Sequence, residues 1–143
     1  MRIPALIPAA LLAALAAAPP ALGEVYTYAL TSQVDVRSLP RTAQKAGVTC
    51  GVCRGACSSL RDWVAQATEW GPPLQYPQAA NFQLTVTVTT PDLPAKPAEY
   101  LCLLGIMDSS NEMWLYNSPR GMPPQFAPDT SPNNVIERRG RLP

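Results

Sequence analysis

The chain has 143 residues, of which 47% are hydrophobic, with eleven basic and ten acidic side chains and no histidine. The near-zero net charge gives no electrostatic basis for binding nucleic acid or an acidic membrane surface. The lack of histidine excludes Ser-His-Asp and Cys-His catalysis, and the length allows one domain.

Residues 1–23 have the layout of a cleaved signal peptide. Arg2 begins a short basic region, an Ala/Leu-rich apolar segment follows from Ile3 to Ala18, and the small residues Ala21 and Gly23 precede the expected cut. The alternative is an uncleaved anchor, but the apolar run is interrupted by prolines and is shorter than the roughly 20 residues that span a bilayer. We therefore expect a secreted, extracellular protein, or a periplasmic one in a bacterium, with no membrane span after cleavage.

Alternation of residue types predicts β-structure directly after the cut. Residues 24–39 are rich in β-forming residues with a period of two, which predicts one or two strands. Residues 40–47 read as a polar loop, and Val48 to Cys50 as the end of a short strand.

The segment from Ser59 to Trp70 is ambiguous. In a helix of about residues 59–70, Ser59 would be the N-cap and Asp62 would complete a capping box. In a strand, Trp63 to Gln66 would be a short buried segment. Periodicity alone favours the helix, but Gly51 and Gly55 argue against extending it back through the cysteines.

The clearest strand runs from Asn81 to Thr90, where apolar and polar residues alternate strictly, as in an antiparallel sheet with one wet face. Tyr100 to Met107 is nearly all apolar and predicts a central strand. A short turn at 108–111 and a hairpin partner from Met113 to Tyr116 follow. Residues 118–143 are rich in proline, and we predict an extended, disordered tail there. The folded domain would then span residues 24–117.

Four cysteines remain after cleavage, at positions 50, 53, 57 and 102. An even count on an oxidising export route predicts two structural disulfides, and four cysteines allow three pairings. A Cys50–Cys53 pair would instead indicate a labile, redox-active bond. Three closely spaced cysteines could hold zinc or a cluster, but the lack of histidine in an exported chain disfavours a metal site.

Cys50, Trp63 thirteen residues later, and the Tyr100-Leu101-Cys102 sequence resemble the pattern of the immunoglobulin superfamily. In that family a tryptophan packs against a bridge between two sheets, and a Tyr-x-Cys sequence supplies the second sulfur. The resemblance implies an all-β, immunoglobulin-like antiparallel β-sandwich with Cys50–Cys102 across the sheets and Cys53–Cys57 as a local clip. Trp63 and Tyr100 would form the core around the bridge. The alternative fold is α+β, with helix 59–70 on a four-stranded antiparallel sheet.

The functional prediction is a secreted, non-enzymatic binding, adhesion or receptor-like module whose partner is another protein, with no cofactor, no metal and no catalytic residue. Its binding surface would lie on loops, such as the 108–111 turn, or on an exposed sheet face. A short variant of a longer receptor would have the same features. The alternative is a periplasmic or secreted thiol-disulfide protein in which Cys50 and Cys53 react.

Overall fold

The computed structural model describes residues 22–75, 79–116, 120, 122–123, 126, 129–130 and 137–143. The predicted signal peptide lies outside these residues except for Leu22 and Gly23. The described residues form eight strands and one 3-10 turn: β1 Thr27–Arg37, β2 Ala43–Cys53, the turn Leu60–Asp62, β3 Trp63–Trp70, β4 Ala80–Thr89, β5 Glu99–Asp108, β6 Met113–Leu115, β7 Asp129–Thr130 and β8 Glu137–Arg141.

The strands form two antiparallel sheets, which confirms the all-β prediction. Sheet I has the order β4-β1-β7. Sheet II has the order β3-β2-β5, and the far edge of β5 pairs with β6 at one end and with β8 at the other. Within the described ranges no helix has the length and hydropathy needed to cross a bilayer.

One cluster of buried side chains joins the two sheets. It draws on the inward-facing residues of all four long central strands: Val34 and Val36 on β1, Val48, Cys50 and Val52 on β2, Val86 and Val88 on β4, and Cys102, Leu104 and Ile106 on β5. Side chains on a strand alternate between faces, so residues two apart on each of these strands reach one shared core.

Of the two alternatives for residues 59–70, the helix is wrong and a strand is present at Trp63–Trp70. The capping box exists, because the Ser59 side chain accepts from the Arg61 N–H and Asp62 Oδ2 accepts from the Ser59 N–H at 2.8 Å, but it starts only one 3-10 turn. Trp63 then enters β3, which pairs with β2. A Cβ on Gly51 would lie 2.1 Å from the indole ring of Trp63, so the ring lies directly on that glycine. Tertiary pairing of this kind overrides a local helical preference.

The structure contains two disulfides, Cys50–Cys102 and Cys53–Cys57. Cys50 and Cys102 are directly opposite each other on the neighbouring strands β2 and β5, with their Cα atoms 4.0 Å apart. The expected placement of this bridge across the two sheets is therefore wrong, because it lies within sheet II. Trp63, expected beside this bridge, packs instead with a second cluster that contains Cys53, Cys57, Leu101 and Leu103.

The C-terminal part of the chain also differs from the sequence prediction. Residues 137–141, assigned to a disordered tail, form β8 and pair with Glu99 to Leu103 of β5. Residues 129–130 pair with Val36 and Arg37 of β1. The fold therefore continues past the boundary predicted at residue 117. The predicted loop at 40–47 is also shorter than expected, since β2 begins at Ala43.

Candidate functional site

Among the described strands, β1 has one edge that is paired along ten residues and one edge, called the open edge below, that is paired only at its end. Strand β4 pairs with it along ten residues, whereas β7 pairs only with Val36 and Arg37 on the other side. Among the described strands no other partner lies along the far edge between Thr27 and Val34. In an antiparallel pair the main-chain groups of alternate residues point away from the partner. The Thr31 carbonyl oxygen accepts from Arg138 on sheet II, so Thr31, and by alternation Ala29 and Gln33, face the open edge.

A groove of about 530 Å³ lies beside this open edge. It is lined from both sheets, by Ala29, Leu30, Thr31 and Gln33 of β1, Gln83 of β4, Tyr100 of β5 and Arg138 of β8. The main-chain edge of β1 forms one wall, and the side chains of β5 and β8 form the other. A groove with an open strand on one wall can hold another extended chain.

Arg138 is the charged residue of the groove. It lies opposite Cys102 in the β5–β8 ladder and donates from Nη1 to the Thr31 carbonyl oxygen. Its guanidinium carbon lies 6.0 Å from the ring centroid of Tyr100. Among the described residues no carboxylate forms an ion pair with it. The guanidinium has five N–H donors, so a single hydrogen bond leaves most of them available.

Tyr100 forms the adjacent wall because Gly140 leaves room for its ring. The two residues are directly opposite each other, and a Cβ on Gly140 would lie 2.5 Å from Cε1 of Tyr100. Tyr100 also packs against the cluster that contains Cys50 and Cys102. The Arg-Arg-Gly sequence at 138–140 of β8 therefore combines a cation for the groove, Arg138, with a gap for the aromatic ring at Gly140.

The other two arginines of β8 do not face the groove lining. Arg139 pairs with Glu137 and donates from Nη1 to the Cys57 carbonyl oxygen at 3.0 Å, so it fixes the disulfide loop. Arg141 is exposed, and it lies opposite Glu99 at the end of the ladder. Three similar side chains on one strand therefore have different surroundings, and only the one at 138 lines the groove.

The outer face of sheet I is polar at Thr31 and Gln33, next to the groove, and beyond Gln33 it continues to the ion pair of Asp35 with Arg37, 3.6 Å apart. Thr31 and Thr85 share a hydrogen bond of 2.9 Å between their hydroxyl groups, and Gln33 Nε2 donates to Asn81 Oδ1 at 2.7 Å. These cross-strand pairs hold β1 to β4. The side chains beside the open edge are therefore already positioned, and the groove carries one positive charge on a neutral background.

The 108–111 turn, suggested as a binding loop, is held by internal hydrogen bonds. Asp108 Oδ1 accepts from the Ser110 and Glu112 N–H groups at 2.8 and 3.0 Å, and Oδ2 accepts from Trp114 Nε1 at 2.9 Å. The indole donor, followed by the two main-chain donors, lowers the pKa of Asp108 below its ordinary value. The guanidinium of Arg120 stacks on the Trp114 ring at 3.9 Å. This carboxylate supports the hairpin and has little capacity left for a ligand.

The described residues provide no reactive centre for the thiol alternative. Cys50 and Cys53 are bonded to different partners, are 0% and 1% exposed, and do not form the Cys50–Cys53 pair that this alternative needs. Across the described ranges no group of three or more Cys, Asp or Glu side chains is arranged to hold a metal ion.

Sequence reasoning missed Arg138, Thr31 and Gln33 as site residues. Arg138 falls in the tail over residues 118–143 that the proline content predicts to be disordered. In β8, one face carries Glu137, Arg139 and Arg141, and the other carries Arg138 and Gly140. Charged side chains of this kind are typical of an edge strand, and they were the signal for β8 in the sequence. The open edge of β1 had no local signal, because it depends on which strands pair with it.

Comparison of the chain with protein-family models, with the curated proteins and with the solved structures finds no match. The resemblance to the immunoglobulin superfamily therefore stays a prediction. The function is inferred from the groove alone.

Proposed function

We propose that the protein is a secreted, disulfide-stabilised, non-enzymatic binding module that holds an extended segment of another protein along the open edge of β1. The observation that carries this proposal is the row of outward-facing main-chain groups at Ala29, Thr31 and Gln33 beside a groove of about 530 Å³. The Thr31 carbonyl oxygen already accepts from Arg138, and an added strand would share it through its second lone pair. An extended peptide can add a strand to such an edge, with its main chain providing affinity and its side chains providing specificity.

Rigidity of the site supports the proposal. Strand β1 is fixed to β4 along ten residues and contributes Val34 and Val36 to the core, so the edge is already in the conformation that pairing needs. Pre-organisation of this kind lowers the entropic cost of binding. A buried long-range disulfide in the facing sheet suits a domain that works outside the cytosol.

The experiment uses the isotope-labelled domain and a blocked nonapeptide of alternating threonine and valine. Amide resonances are followed during titration. We expect concentration-dependent shifts centred on Ala29, Thr31 and Gln33, because their N–H groups would gain partners. Shifts that avoid β1, or no shifts at millimolar peptide, would show that this edge does not bind an extended chain.

Two substitutions at one position test the role of the main chain. Thr31→Pro removes the N–H that faces the open edge, whereas Thr31→Val keeps it and changes only the side chain. Binding should be lost in the proline variant and retained in the valine variant. Circular dichroism should show that both remain folded, because the β4 side of the ladder keeps its donors. Equal binding by both variants would mean that the main-chain edge is not the contact.

A further inference from the structure

We infer that the groove selects a segment with an acidic side chain, whose carboxylate binds Arg138 next to Tyr100. This inference rests on the proposed function and names the chemical class of the segment. Its basis is charge complementarity, because the lining contains one cation and otherwise only uncharged side chains.

The geometry around Arg138 favours an anion at this point. Its Nη1 atom is engaged with the Thr31 carbonyl oxygen, which orients the guanidinium along the groove and leaves the remaining donors for a ligand. A carboxylate matches that planar arrangement of donors better than a neutral amide does. The Tyr100 ring lies on one side of the cation, with its centroid 6.0 Å from the guanidinium carbon, and Arg138 itself is exposed to solvent and open to an incoming ligand.

Among the described residues, no carboxylate forms an ion pair with Arg138 that would take the place of a ligand's carboxylate. The carboxylate of Glu137, the nearest acidic neighbour in sequence, pairs with Arg139 on the opposite face of β8. On the outer face of sheet I, the threonine, glutamine and asparagine side chains around Thr31 and Gln33 are uncharged, and the carboxylate of Asp35 pairs with Arg37 at 3.6 Å. An acidic residue on an incoming strand would therefore be attracted to one place along the groove, which would also set the register of binding.

The test uses two blocked nonapeptides of alternating threonine and valine that differ only at the central residue, Glu in one and Gln in the other. Their dissociation constants are measured from amide shifts of wild type and of Arg138→Gln, Arg138→Lys and Arg141→Gln. Wild type should bind the Glu peptide about fivefold more tightly at low salt, the upper range for a partly exposed ion pair. Added salt should reduce that ratio, because the Debye length shortens.

The variants separate Arg138 from general positive charge. Arg138→Gln should bring the ratio of the two dissociation constants to about one, and Arg138→Lys should keep part of the preference because it retains a point charge. Arg141→Gln removes the same charge from the same strand outside the groove and should leave the ratio unchanged. Because each ratio is taken within one variant, a change in overall stability does not affect it.

The outcomes distinguish this inference from the proposed function. Equal binding of both peptides at β1 would leave strand docking intact and overturn acidic selection. No binding of either peptide would overturn both. Self-association of the domain through the same β1 amides, measured by sedimentation without peptide, would identify a second copy as the occupant and would also overturn acidic selection.

Discussion

The two disulfides differ in the length of chain that they close, and we expect their contributions to stability to differ accordingly. Cys50–Cys102 joins residues 52 positions apart, and Cys53–Cys57 joins residues four apart. A cross-link restricts the unfolded chain more as its loop lengthens, which gives about 4 kcal/mol for the long loop and about 2 kcal/mol for the short one. Small domains have a total stability of roughly 5–15 kcal/mol, so the longer bridge is a large share.

The perturbation is a pair of double variants, Cys50→Ala/Cys102→Ala and Cys53→Ala/Cys57→Ala. All four cysteines are at most 2% exposed, so each double variant also leaves a buried gap of two sulfur atoms. Because this loss is the same in both, each double variant is a control for the other. The free energy of unfolding is measured by urea denaturation. We expect the first variant to be about 2 kcal/mol less stable than the second, following the ratio of loop lengths.

The sheet geometry adds an expectation for the longer bridge. Cys50 and Cys102 lie within a ladder that pairs β2 with β5 along almost all of both strands, so the strands stay adjacent when the bond is removed. The Cys50→Ala/Cys102→Ala variant should therefore unfold cooperatively from the same β-structure by circular dichroism. Equal losses in the two variants, or a larger loss for the short loop, would refute the loop-length argument.

Two further predictions concern packing and pH. Gly51→Ala should lower the free energy of unfolding by about 1–3 kcal/mol and shift the tryptophan emission to the red, because a Cβ there would displace the Trp63 indole. Gly55→Ala is the control, since a Cβ at Gly55 meets open space, and it should leave the stability and the emission unchanged. Asp108 has a lowered pKa, so its contribution to stability is present above its ordinary value of 3.8 and is lost as pH falls through the lower folded-state value. Urea denaturation across this range should show wild type losing its advantage over Asp108→Asn, and an unchanged difference between them would contradict the role of the Trp114 hydrogen bond.

The strands with local signals could be predicted from the sequence. Residues 81–90 alternate strictly between apolar and polar, and the structure places β4 at Ala80–Thr89 with its valines buried. The apolar run at 100–107 became the central strand β5, at Glu99–Asp108. Strict alternation indicates a strand that is buried on one face, as in β4, and a continuous apolar run indicates a strand that is buried on both faces, as in β5.

The elements that were missed depend on distant partners. The capping box at Ser59 is a correct local signal, but β3 forms after it because β2 offers a pairing edge and a glycine beneath Trp63. Strand β8 has a charged sequence and becomes a strand only because part of the far edge of β5 is available to it. The candidate site has the same origin, since the open edge of β1 and the position of Arg138 follow from non-local pairing.

The register of sheet II is fixed in two independent ways, and this bears on how the open edge of sheet I can function. A slip of one residue between β2 and β5 would move Cys50 away from Cys102 and turn the buried side chains of the moved strand outward. A slip between β5 and β8 would bring the Tyr100 ring against a residue with a Cβ. Sheet I is held instead by β1–β4 pairs such as Thr31–Thr85, and no disulfide joins its described strands. A strand added to β1 would extend sheet I while the register of sheet II stays locked, so β8 would keep its place in the ladder. At the edge itself the added strand would share the Thr31 carbonyl oxygen with Arg138.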